Sequence, residues 1–216
     1  MTESTVPTEA EPRNTVTLGF VRGIAPSRWQ TRWNEVRSRR RLDLVPLEQV
    51  GDVTSGETDM TLVRCQPGAF PAGARTEPRT RHAVQLYEEA VALVVDTDHE
   101  LAGEASIDVG DLDLVHLLDY EGHSADWPTP QPWDDPAWRP TDHRAALELV
   151  ATGVGAILMP LPLARHMIAK KQHSIIEVTG EIDGTRVFAT WNISRDDDEM
   201  QELMGVLRGR TARSSR

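Results

Sequence analysis

Apolar and polar positions along the chain switch between a two-residue and a three-to-four-residue period, which predicts strands and helices in alternation. Residues 15–21 are β-branched and apolar and predict a strand. Gly23 lets the backbone turn, and Ala25-Pro26 opens a helix, because proline at the first helical position gives up no intrahelical hydrogen bond. Trp29, Trp33 and Val36 recur at i, i+4 and i+7 as one apolar stripe, opposite Arg28, Arg32, Glu35, Arg39 and Arg40. Glu35 and Arg39 stand four apart in the favourable order for an ion pair. Residues 42–47 predict a second strand, which Pro46 confines to an edge or a strand end. Residues 60–63 predict a third.

The stretch 48–58 is polar and leaves little room for a full helix, and 66–81 reads as an exposed Pro/Gly/Arg loop. Residues 83–87 and 90–95 predict two strands that are almost one extended segment. A short helical turn is expected within 107–113 and a buried strand over 114–118. The proline-rich stretch 122–140, with Trp127, Trp133 and Trp138, is neither a regular helix nor a central strand. Residues 142–152 predict a helix that buries Ala145/Leu149 and Ala146/Val150 and stops at Gly153. A strand (156–159), a helix (163–169), two strands (175–178 and 187–191) and a closing helix (199–207) follow; the last places Met200, Leu203, Met204 and Leu207 on one face.

This order predicts an α/β architecture in which each lobe is a mixed, mostly parallel sheet flanked by helices. Length and the extended crossing at 87–92 favour two lobes. The first is expected to combine 15–89 with 168–208, and the second to be 90–167. A flexible tail (1–14) and a basic, frayed end (209–216) complete the division.

Composition narrows the function. The net charge of −11 opposes binding to phosphate polymers. The arginine cluster at 37–41 reads as a solvated helix end rather than a phosphate contact. No apolar run is long enough to cross a bilayer, and the polar start lacks the features of a secretion signal, so the expected location is cytoplasmic. Cys65 is the single cysteine, which excludes an internal disulfide framework and a cysteine-based metal site. The seven histidines are scattered, and no nucleophile–base set is legible; neither an enzyme nor a cofactor is expected.

Several segments, in order, resemble the effector-binding domain of LysR-type transcriptional regulators. These are Leu18-Gly19-Phe20-Val21, Arg41-Leu42-Asp43-Leu44, Thr58-Asp59-Met60-Thr61-Leu62-Val63, Leu86-Tyr87-Glu88-Glu89, Asp98-His99-Glu100-Leu101-Ala102 and Leu147 to Pro160. Glu100 stands where the family usually has proline, the stretch 48–58 is shorter than the family's second helix, and the connection 120–142 is short and proline-rich. The resemblance implies a type 2 periplasmic-binding-protein fold, two lobes closing on a small molecule. It leaves the family's N-terminal winged helix-turn-helix without a counterpart, because 15–21 already matches the sensor's first strand.

The resemblance also implies a cleft. Its contacts would be Arg22, Gly23, Ile24 and Ser27 at the first helix start, where free N–H groups and the helix dipole favour an anion. Arg64 ends the third strand and is placed to pair with an anionic ligand, or is a surface arginine; Cys65 beside it is a cleft residue or a buried thiol. Thr141 and Asp142 precede the second cleft-facing helix and either cap it or reach the ligand. Met159 and Pro160 line the far wall or pack a strand end, and Trp127, Trp133 and Trp138 form a lid or cover a lobe.

The leading expectation is therefore a stand-alone, cytoplasmic protein that binds a small, anionic or carboxylate effector and acts on transcription through a protein partner. It would neither bind DNA directly nor associate with a membrane, and it would form a homodimer through its first helix and second strand, residues 28–40 with 42–47. The alternative is a protein-interaction module on the same fold that has lost its ligand.

Overall fold

Thr15–Phe20 form β1, an inner strand of the first lobe, in a computed structural model that describes residues 15–36, 40–52 and 58–209. The expected N-terminal tail, residues 210–216 and Arg37 to Arg39 lie outside the described residues, so the Glu35–Arg39 pair does too. Leu18 and Val16 are fully buried on one side of β1, as the alternating pattern requires. Helix α1 (Ser27–Val36) packs Trp29 and Trp33 onto the sheet, and each indole N–H finds a backbone carbonyl, Leu207 at 3.1 Å and Arg40 at 3.0 Å. Val36, expected to continue the stripe, is 53% exposed, because the helix ends there and the core does not extend under its last turn.

The chain continues through β2 (Arg41–Pro46), β3 (Met60–Cys65) and β4 (Arg81–Glu89). Ala90 alone separates β4 from β5 (Val91–Asp96), which opens the second lobe. There follow β6 (Ser106–Asp108), α2 (His143–Val150), β7 (Ile157–Pro160), α3 (Leu161–Met167) and β8 (His173–Thr179). The chain then returns to the first lobe as β9 (Thr185–Asn192) and α4 (Asp198–Leu207). The two sheets have the orders β2-β1-β3-β9-β4 and β6-β8-β5-β7.

Both sheets are mixed, as expected, but parallel pairing does not predominate in either. β1 runs parallel to β2 and β3, but β9 arrives from the opposite lobe and inserts antiparallel between β3 and β4. In the second sheet β5 is antiparallel to both neighbours, and only β6 with β8 is parallel. β8 pairs with β5 across Ala92–Glu177 and buries Ile176 and Val178 in the second lobe. The return to the first lobe therefore falls at 180–184, later than the expected start of that segment at 168.

Residues 114–118 also differ from expectation. Val109–Leu114 is a 3-10 helix, with the Asp108 side chain accepting from the Gly110 amide at 2.9 Å. The tighter turn buries Leu112 and leaves Leu114 88% exposed; Leu117 and Leu118 are buried through single bridges to Ala156 and Gln131. An apolar run alone does not distinguish these outcomes.

Capping follows the local sequence. Asp142 accepts from the Ala145 amide at 2.8 Å to start α2, and Asp197 accepts from the Met200 amide at 3.0 Å to start α4. On α2 the buried residues are His143, Ala146, Leu147 and Val150, while Ala145 and Leu149 are half-buried. The first lobe's main core joins α1 and α4 to one face of its sheet, with a smaller cluster of Val63, Cys65 and Phe188 on the other; the second lobe has a core on each face.

Candidate functional site

Arg64, the next-to-last residue of β3, is buried and has almost no hydrogen-bonding capacity left. Its Nε donates to Glu89 Oε2 at 2.5 Å and its Nη2 to Glu89 Oε1 at 3.0 Å. Its Nη1 donates to the carbonyls of Arg22 and Val50, at 2.9 and 2.7 Å. Glu89 ends β4, the outgoing crossing strand, and also accepts from the Thr185 hydroxyl at 2.8 Å, at the start of the returning β9. One buried pair thus joins β3 to both crossings between the lobes.

The two crossings lie close together. A Cβ on Gly184 would stand 1.9 Å from the Glu89 carbonyl oxygen, so only glycine fits there.

Beside this pair is an inner chamber of about 340 Å³ between the lobes. Cys65, Gln66 and Phe70 line it from the first lobe, His143, Pro160 and Leu163 from the second, and Thr185 from the crossing. It meets an outer chamber of about 360 Å³ at Val50 and His143, where Arg22, Glu48, Asp142 and Arg144 form the walls. The lobes touch around these spaces, where Val50 packs against the second lobe's core and two close contacts add to it. Gly23, at φ +83°, packs so closely that a Cβ would sit 2.9 Å from Leu163 Cα, and Gln66 Nε2 donates to the Gly122 carbonyl at 3.4 Å.

His143 is a cleft-lining side chain that the sequence reading missed. It stands at the first position of α2, directly after the Asp142 cap. Its ring meets Tyr120 edge-on at 5.2 Å between centroids, and a Cβ on Gly122 would come within 2.5 Å of its Cε1. Tyr120 is itself anchored through its hydroxyl to the Leu158 carbonyl at 2.8 Å. Burial pushes the His143 imidazole down to about 4; the Arg64 charge acts in the same direction and Asp142 opposes it. At neutral pH it is an uncharged ring facing both chambers. The available signal was its place in the first turn of a helix already expected to face the cleft.

The other predicted residues are distributed unevenly. Arg64, Cys65 and Pro160 line the inner chamber and Arg22 the outer one. Arg64 is not open to an anion in the way expected, because Glu89 already occupies its fork. The Arg22 side chain pairs with exposed Glu48. Gly23 and Ile24 are taken up in the contact with Leu163 and in the first core, and Ser27 points to solvent. Of the first helix start, Arg22 lines the outer chamber, and Gly23, Ile24 and Ser27 line neither chamber. Thr141 is exposed, and Asp142 serves as the cap. Met159 is fully buried in the second lobe's core, one residue short of the chamber.

The three tryptophans do not form a lid. Trp127 is a core residue that donates to the Asp183 carbonyl at 2.9 Å, Trp133 is half-buried and donates to the Asp119 carbonyl at 2.7 Å, and Trp138 is 62% exposed. Cys65 is a free, buried thiol that burial, with Asp52 adding to it, pushes up to about 12, so it stays protonated. Among the described residues no group of three or more His, Cys, Asp or Glu side chains is arranged to hold a metal ion, and no helix is long and apolar enough to cross a membrane.

This two-lobed mixed α/β chain, with its cleft between the lobes, matches the family model of the LysR substrate binding domain over residues 9–212. The chain belongs to that family. Its members in this respect are regulatory ligand-binding domains, not catalysts. Among solved structures, a Corynebacterium glutamicum OxyR C206 mutant superposes with a TM-score of 0.60 at 16% identity, covering 90% of this chain and 63% of that one. The LysR-family chain therefore spans less than two thirds of that protein's length. The reduced OxyR regulatory domain from Pseudomonas aeruginosa gives 0.56 at 18% identity, covering 90% and 94%. The BenM effector binding domain with its effector benzoate gives 0.58 at 17% identity, covering 90% of each chain. At these identities the likeness carries the fold. No curated protein sequence matches the chain.

Proposed function

We propose that this LysR-family domain binds a small-molecule effector in the chamber between its lobes and reports it by a shift between open and closed forms. The observation that carries this reading is the inner chamber of about 340 Å³, lined by both lobes and by the crossing residue Thr185. A guest there touches both lobes at once, so it favours whichever separation fits it, and only differential affinity for one form moves the balance. In the cell the readout would be transcriptional, through a protein partner, in the cytoplasm. The BenM domain, whose effector is benzoate, supports effector binding as the role of this fold.

We further propose a homodimer through α1 and β2. β2 is an edge strand with Arg41 and Asp43 exposed, and Val36 at the end of α1 is an exposed apolar residue. The interaction-module alternative is less favoured, because a domain kept only as a scaffold has no need of a chamber between its lobes.

The reading is tested by soaking or titrating a library of small organic molecules and following chemical shifts of Thr185, Gln66 and His143. Ligand-dependent shifts on both sides of the cleft, with a fall in the radius of gyration by small-angle scattering, are the expected result. Binding confined to surfaces away from the chamber would reject it.

A further inference from the structure

We infer that the inner chamber selects an uncharged guest with an apolar body and a hydrogen-bonding group, and turns away carboxylates; this rests on the effector-binding reading above. The reason is the state of its one buried cation. Arg64 is bound two-point by Glu89, and its remaining Nη1 donors go to the Arg22 and Val50 carbonyls. A carboxylate entering the chamber would give up its water and find all but one of this guanidinium's N–H donors already engaged.

The other charges near the chamber do not replace it. Asp52, whose Oδ2 accepts from the Ala72 amide at 2.6 Å, brings a negative charge to the wall. Arg75 lies over the face of the Phe70 ring at 3.2 Å. Arg22 answers Glu48 in the outer chamber, and Arg144 stands there too, outside the inner space.

Two side chains in the wall act as internal reporters of the same property. Burial disfavours the charged form of both the His143 imidazole, a cation, and the Cys65 thiol, an anion. Arg64 adds to the first effect and Asp52 to the second, so a guest of either sign meets a wall charge of its own sign. What the wall offers is apolar contact from Phe70, Pro160, Leu163 and Val50, with polar anchors beside the Gln66 amide and the Thr185 hydroxyl. They include the neutral His143 ring and Asp52 Oδ1, neither of which has a hydrogen-bond partner among the described residues; Oδ1 is an acceptor for an N–H or O–H.

The test compares matched probes at pH 7.5: benzamide with benzoate, phenylacetamide with phenylacetate, and benzylamine as the cation. Binding is followed by ligand-observed NMR on the full chain and on Ala69→Trp, a change at an exposed residue of the chamber wall that fills the space. Only binding abolished by Ala69→Trp is counted. The expected result is amide binding tighter than that of carboxylate or amine by about tenfold or more. Equal or tighter counted binding of benzoate, phenylacetate or benzylamine overturns the inference and leaves the effector-binding reading intact. If no probe shows counted binding while other small molecules in the cleft do, the inference fails alone; if nothing binds the cleft, both fail.

Glu89→Gln supplies an independent arm. Releasing the Arg64 charge should raise counted benzoate binding by about tenfold, and an unchanged value in a folded variant overturns the assigned cause. Should this variant not fold, the wild-type comparison decides by itself.

Discussion

The Arg64 guanidinium and the Glu89 carboxylate face each other through two hydrogen bonds, 2.5 and 3.0 Å long, at the point where β3 meets both crossings between the lobes. Both side chains are almost wholly buried. A pair in such a place stabilises little compared with apolar replacements, yet removing one member leaves a bare charge in a dry site. Arg64→Met and Glu89→Leu should each lower unfolding stability by about 3–5 kcal/mol in urea titrations. The double variant should lose much less than the two single losses combined. Additive losses would show that the two groups do not act as a pair.

His143 gives the protein an acid-sensitive term. Its folded value of about 4 lies below the ordinary 6.5, so between these limits the unfolded chain binds a proton that the folded chain refuses. The contribution is fully present above pH 6.5 and is lost as pH falls toward 4. At 1.36 kcal/mol per unit its ceiling is about 3 kcal/mol. His123, also held down first by burial, acts in the same direction. His143→Gln should reduce the drop in stability between pH 7 and pH 4.5, measured by chemical unfolding at each pH. An unchanged drop would remove His143 from this role.

The tryptophans of the proline-rich connection separate into a core residue and a surface residue. Trp127→Ala opens a hole in the second lobe's core and strands the Asp183 carbonyl, and should lower stability by about 3–5 kcal/mol. Trp138→Ala, at an exposed site, should stay within about 0.5 kcal/mol and leave probe binding in the chamber unchanged. Thermal and urea unfolding of both variants, with the benzamide titration, check this. Loss of chamber binding in Trp138→Ala would restore a lid.

Much of the secondary structure could be read from periodicity because each stretch carries its own evidence. The Met200, Leu203, Met204 and Leu207 spacing needs only a helix to face one way, and all four are buried. Asp142 and Gly153 bracket α2 by local backbone chemistry. Where a stretch depended on distant partners, the same reasoning failed. Leu114 belonged to an apolar run but was turned out by a 3-10 helix, and His173–Thr179 joined the second sheet because β5 had a free edge to offer.

The site divides along the same line. Linear order placed Arg64, Cys65 and Pro160 at strand ends, and strand ends meet the cleft in this fold. Nothing local to residue 64 announces a carboxylate twenty-five positions later that takes up its charge. Nor does anything local to residue 143 announce that Gly122 and Tyr120 hold its ring at the chamber wall.

From its sequence alone, then, this chain determined its elements, its two-lobed family fold and the strand ends where a cleft would open, since each depends on short-range periodicity, capping and motif order. Tertiary structure alone decided which of those side chains face the chamber and whether their charges remain available. Burial and pairing are properties of neighbours in space, and the carboxylate that neutralises Arg64 reaches it only when the crossing strands come together.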